Sequence, residues 1–291
     1  MNSPPPGDAD ADRRHEQQVP RARRTRATIL TGCLKSPRRD GLRAIVVGVL
    51  IAAAGICYSS WVLEFLWPSP LDPFRSFLSE LDAQHRPHRE VYVAGDVTTS
   101  VCALIAGAVA LIPRPLVRGR LAVAAVVLLA AFGASTMADA LLPIECLAGI
   151  DPGCRAEPSG LLPQLHHIHA LTSTLAVFSI FGAMIAATLV AWRTPAWPLL
   201  RTAGTVVFAI IVLSTAWMLI ADNLSGNYRL GLAQRIQVGG MSVWMVLWGW
   251  AVVGSRGVDR TPEAEHVVVA PGGFTGTEWG AVNGTRDQQQ R

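Results

Sequence analysis

The stretch LLPQLHHIHALTSTLAVFSIFGAMIAATLVAW, residues 161–192, decides the fold. His166, His167 and His169 open it, and residues 170–192 then carry no charge. A hydrocarbon core about 30 Å thick takes about 20 predominantly apolar residues of helix. The stretch therefore reads as a membrane span whose histidines stand at a lipid–water boundary.

Five more runs of this kind flank it. Together the six spans cover 44–63, 91–112, 121–142, 167–192, 197–221 and 238–254. The chain is 51% hydrophobic and 16% charged, against about 25% charged in an average soluble domain. Its apolar residues come in blocks, which selects a membrane protein over a large soluble core. The expected fold class is all-α, a polytopic membrane bundle of six transmembrane helices. Residues 1–40 and 255–291 lack apolar periodicity and are expected to be disordered tails around a six-helix domain at 41–254. Leu30-Thr31-Gly32-Cys33 imitates a lipoprotein cleavage site but lacks the apolar region that should precede one.

Lys and Arg orient the bundle. Of the 25 in the chain, all but Arg75, Arg86, Arg89, Arg155, Arg229 and Arg235 fall in the N-terminal stretch to Arg43, in the C-terminal tail, or around the loops after the second and fourth spans, the latter counted to Arg201. The rich side should be cytoplasmic, which puts both termini inside a cell membrane and the other loops outside. The basic tails show neither aromatic interleaving nor a folded basic surface, so the partner they face is the bilayer and not a nucleic acid. Cys146 and Cys154 share one outer loop, ECLAGIDPGC, where an oxidising compartment would let them pair as a disulfide. Cys57 and Cys102 fall inside helices as small packing residues.

Charges inside a span are costly and commonly functional. Here they share a depth. Asp96 lies five residues beyond Val91, about 7.5 Å into the second span at 1.5 Å per residue. Asp139 sits near the outer end of the third span, His166 and His169 open the fourth, and Asp222 closes the fifth. Gln234, Arg235 and Gln237 lead into the sixth. Asp96, Thr99 and Ser100 share a helix face, as do Thr136 and Asp139, and so do His166, His169 and Ser173. Lipid rejects such stripes, so they should turn inward and form a polar cup open to the outside. Gly48, Ala52 and Gly55 would let the first helix pack closely. The spacing Leu71, Phe74, Phe77, Leu78, Leu81 predicts a short amphipathic interfacial helix over the cup, with Ser79 and Glu80 at its end.

Three chemistries suit these residues. His166 and His169, with Asp139 and either Asp96 or Asp222, form a candidate zinc set: imidazole and carboxylate donors with a position left for water. Asp96, Asp139 and Ser79 are then the candidate catalytic groups, and Arg235, Gln234 and Glu80 the candidate substrate-binding groups. A structural hydrogen-bond network and a proton relay use the same residues without metal. Arg235 offers a fork of donors for a phosphate, or pairs with Asp222 or Asp139 to offset their burial. His85 and His88 read as exposed loop residues.

The order of these pieces resembles the family of prokaryotic integral membrane proteins known as domain of unknown function 998. The resemblance rests on Ser79-Glu80-Leu81, Gly95-Asp96, Asp139 with Pro143, the His166 to His169 cluster, and Gly231-Leu232-Ala233-Gln234-Arg235. It spans residues 43–254 and implies six membrane helices, with no activity attached. A weaker likeness is to membrane hydrolases of the alkaline ceramidase and progestin-receptor type, and it implies a zinc site built from Ser, Asp and His. This chain departs from that pattern in having six spans rather than seven and in spacing His166 and His169 by three rather than four.

The expected function is an outward-facing polar cup of Asp, His and Arg that binds, or hydrolyses with a metal, a lipid headgroup or small amphiphile. The alternatives are a proton-coupled transporter and a non-catalytic membrane sensor or assembly partner. Transport predicts polar residues continuing into the inner leaflet, and the inner halves of the spans carry no charge.

Overall fold

A computed structural model describes residues 37–255, apart from 114, 148–149, 155–167, 225 and 227. Among the described residues the chain is all-helical. The principal helices are α1 (Pro37–Cys57), α2 (Arg89–Leu111), α3 (Arg120–Leu141), α4 (Ile168–Arg193), α5 (Thr205–Ala221) and α6 (Leu230–Gly254). A 3-10 segment, Ser60–Leu66, prolongs α1, and a π turn, Leu200–Gly204, leads into α5. With these extensions six helices are long and apolar enough to cross a membrane. The chain is a multi-pass membrane protein.

Two boundaries differ from the sequence reading. α1 begins at Pro37, inside the stretch expected to be tail. α6 begins at Leu230, eight residues before the expected 238, so Gln234, Arg235 and Gln237 lie within the helix rather than ahead of it. Polarity misled the reading there. These three side chains face other protein groups, so lipid does not exclude them.

The helices pack as an arc in the order α4, α3, α2, α1, α6, α5. α4 closes on the far end of the arc chiefly through the π turn and only sparsely along α6. Small residues set the closest crossing. A Cβ on Gly48 would stand 2.6 Å from the carbonyl oxygen of Gly249, and one on Gly55 would stand 2.5 Å from that of Ser242. Without hydrophobic drive in lipid, such backbone proximity supplies the packing contact. The core between helices holds Ile51, Leu129, Phe132, Ile180, Met184 and Trp244, all fully buried. Outward-facing residues are apolar too, among them Leu213 and Trp250, each 70% exposed.

The loops at the end opposite the tails fold into a second, smaller core of Leu71, Leu81, Ala83, Tyr92 and Leu147. This replaces the interfacial helix expected at 71–81. The segment is a turn at 72–76 followed by a three-residue 3-10 helix, Leu78–Glu80. Its backbone groups find partners within the turn and on α6. Asp72 Oδ1 accepts from the Phe74 N–H, Ser76 O accepts from Arg235, and the Leu78 N–H donates to Gln234. Burying Leu71 and Leu81 in the cap contributes roughly 1.5–3 kcal/mol each, which an interfacial helix would instead draw from lipid.

Candidate functional site

Beneath that cap lies a cavity of about 100 Å³, partly open to solvent. Six parts of the chain line it. Tyr58, Ser60 and Trp61 come from the end of α1 and its 3-10 extension, and Tyr92 and Asp96 from α2. Thr136 and Asp139 come from α3, and Ser173, Ala176 and Val177 from α4. α6 supplies Gln234, Gln237 and Val238, and the cap supplies Leu78, Ser79, Leu81 and Asp82. The wall is mixed, with carboxyl, hydroxyl and amide groups beside apolar side chains.

Asp139 is the most heavily bonded acid. Its Oδ1 accepts from the hydroxyls of Thr172 and Ser173, each at 2.7 Å, and lies 3.3 Å from His169 Nδ1. His169 Nδ1 also stands 2.9 Å from the Leu142 carbonyl oxygen. A carbonyl only accepts, so Nδ1 carries the proton. His169 Nε2 is buried without a partner. The order is hydroxyl, carboxylate, imidazole. A serine nucleophile needs the imidazole between hydroxyl and carboxylate, so this is not a nucleophilic triad.

Asp82 was not singled out in the sequence, yet it is 5% exposed and lines the same cavity. Its Oδ1 has no hydrogen-bond partner. Burial pushes its carboxyl up to about 6, the His169 charge opposing this and the Asp139 carboxylate reinforcing it. Arg89 donates to the Asp82 backbone carbonyl at 2.7 Å rather than to its carboxylate. Thr136 Oγ1 is likewise buried without a partner.

Arg235 is not in the lining. Neither Asp222 nor Asp139 is its partner, as the sequence had suggested; Glu64 is. Arg235 Nε donates to Glu64 Oε1 and Nη2 to Oε2, both at 2.6 Å, with each residue 5% exposed. Nη1 donates to the carbonyls of Ser76 and Gly231 at 2.8 and 3.0 Å. Its donors hold the cap to α6. Gln234 has a double place, lining the cavity and accepting from the Leu78 N–H at 2.5 Å. Glu80 lies on the cap outside the lining, with burial raising its carboxyl above the ordinary range. Asp222 caps the end of α5, also outside the lining. Of the predicted site residues, then, Asp96, Asp139, Ser79 and Gln234 meet in the cavity, His169 adjoins Asp139, and Arg235, Glu80 and Asp222 stand apart. His166 lies outside the described residues.

No three His, Cys, Asp or Glu side chains gather around a common point among the described residues. The zinc set that the sequence suggested includes His166, which is not among those residues. Asp222 stands outside the cavity lining, and Asp139 Oδ1 already serves two hydroxyls. Cys146 and Cys154 do form the expected disulfide. Asp151, inside that loop, accepts from the Leu147 N–H at 2.7 Å and from the Arg86 guanidinium, which hold its carboxyl below the usual range and tie the loop to the cap. His85 and His88 are exposed, and His88 stacks on Trp67 with centroids 4.5 Å apart.

The model of a family described as a protein of unknown function, DUF998, matches residues 51–251. The chain belongs to the DUF998 family. No curated protein and no solved structure matches it. All residues that line the cavity of this DUF998 protein fall within the matched segment. The Gly231 to Arg235 motif has a structural meaning in this DUF998 chain. A Cβ on Gly231 would stand 2.8 Å from the Pro73 carbonyl oxygen and closer still to that of Ser76, so glycine lets the cap rest on α6.

Proposed function

We propose that this protein binds the polar headgroup of a lipid or small amphiphile in the capped cavity, on the extracytoplasmic side of the cell membrane. The observation that carries the reading is the mixed wall. Asp82, Asp96, Asp139, Ser79 and Gln234 share one space with Leu78, Ala176, Val177 and Val238, at the end of a bundle whose outer surface is apolar. Binding pockets combine an apolar lining with a few convergent polar groups in this way. The sparse contact between α4 and α6, both of which line the cavity, favours a tail leaving sideways into lipid. The distribution of Lys and Arg supports the orientation. Binding is favoured over hydrolysis because Asp139 stands between hydroxyl and imidazole.

The test is native mass spectrometry of the full chain extracted in a mild nonionic detergent. The parent should carry an amphiphile-sized adduct, and Val238→Trp and Ser79→Trp, which fill the cavity from α6 and from the cap, should lose it while remaining monodisperse. A parent without an adduct, or an adduct that both variants keep, contradicts the proposal.

A further inference from the structure

The cavity lining includes three carboxylates and no Lys or Arg among the described residues. The neighbouring guanidinium groups are engaged elsewhere. Arg235 is closed on Glu64, Arg86 bonds Asp151, and Arg89 serves a backbone carbonyl. His169 Nδ1 is taken up by the Leu142 carbonyl and the Asp139 carboxylate. Two acceptors therefore stand ready in the wall, Asp82 Oδ1 and Thr136 Oγ1, each buried without a partner on a residue at most 5% exposed. An unpaired acceptor of this kind costs stability unless a donor arrives.

An occupant that supplies hydrogen-bond donors and positive charge suits this wall. A bare metal ion is a poor match to the described residues, since no three acidic or imidazole groups among them converge on one point and metal–oxygen bonds are about 2.0–2.6 Å long. An ammonium group has three donors at hydrogen-bond length, and can reach acceptors spread around a wider space. The apolar side chains beside the acids, Leu78, Ala176, Val177 and Val238, would take the carbon chain attached to it.

We infer that the headgroup taken by this cavity is a protonated amine, held by Asp82, Asp96 and Asp139 with Thr136 as a further acceptor. The inference rests on the amphiphile reading above and narrows it to cations. Phosphate-bearing anionic headgroups are disfavoured, since the wall would repel them.

Calorimetric titration of the full-length protein in nonionic detergent tests it, with dodecylamine, dodecanol, dodecyl phosphate and ethanolamine as probes. Dodecylamine should bind at least tenfold more tightly than dodecanol, and dodecyl phosphate should bind more weakly than either. Asp96→Asn and Asp82→Asn should each reduce dodecylamine affinity by about tenfold and narrow the gap between dodecylamine and dodecanol, with a parent-like melting temperature showing that the variants are folded. Equal affinity for dodecylamine and dodecanol overturns the cation inference and leaves the amphiphile reading in place. Absence of binding by all three dodecyl probes overturns both. Ethanolamine binding as tight as dodecylamine supports ammonium recognition, identifies a soluble amine as its source and overturns the amphiphile reading.

Discussion

Arg235 on α6 and Glu64 at the end of the first span form a buried fork-to-fork pair, with both hydrogen bonds 2.6 Å long. Truncating one partner leaves the other charge buried alone, a loss of about 3–5 kcal/mol. Glu64→Ala and Arg235→Ala should therefore each lower the melting temperature in detergent sharply. The double replacement Glu64→Leu with Arg235→Met should recover most of the loss. Scanning fluorimetry on the three variants checks this, and additive losses in the double variant would mean that the two residues do not act as a pair.

Gly231 decides whether the cap can sit down. Gly231→Ala places a methyl group against the Ser76 and Pro73 carbonyl oxygens, so the cap must lift. Amide hydrogen exchange in 71–81 should then quicken while exchange in α1 and α3 stays unchanged. Parent-like exchange in the cap would show that the contact at Gly231 is not what seats it.

Asp82 makes stability depend on pH with a definite sign. Its carboxyl is at about 6 in the folded protein against an ordinary 3.8, so the native state holds the proton more tightly than the unfolded chain. The stabilisation is full below pH 3.8 and is lost as pH rises through about 6, to a limit of about 3 kcal/mol. Asp82→Asn should flatten that fall. Melting temperatures of parent and variant between pH 4 and pH 7 give the comparison, and parallel curves would contradict it.

The spans were legible because a long uncharged run has one meaning in lipid, and 170–192 needs no tertiary information to be read. Asp96 and Asp139 were legible for the same reason, as acids within apolar runs. Glu64 and Asp82 were not. Each lies just past a span or in a polar loop, where an acid is ordinary, and only the folded cap buries them. The cap itself was misread because Leu71, Phe74, Phe77, Leu78 and Leu81 have helical spacing. Gln234 and Arg235, far along the chain, take the backbone groups that a helix would have paired internally. The signal that could have found this was Glu64 itself, an acid between Trp61 and Trp67 in need of a cation.

The proposed orientation has its own test in the thiols. After mild reduction of intact cells, a reagent that cannot cross membranes should label Cys146 and Cys154, whose disulfide lies in the loop after α3. Cys33 should stay unlabelled until the cells are opened. Labelling of Cys33 alone would invert the bundle.

Photo-crosslinking tests the shared cavity most directly. A long-chain amine carrying a diazirine next to its nitrogen is irradiated with the purified protein, and the modified peptides are sequenced. The account predicts adducts on three segments that line the cavity, 78–82, 92–96 and 173–177, and their loss in Val238→Trp. Adducts confined to the outer apolar surface around Leu213 and Trp250, unchanged in the variant, would contradict it.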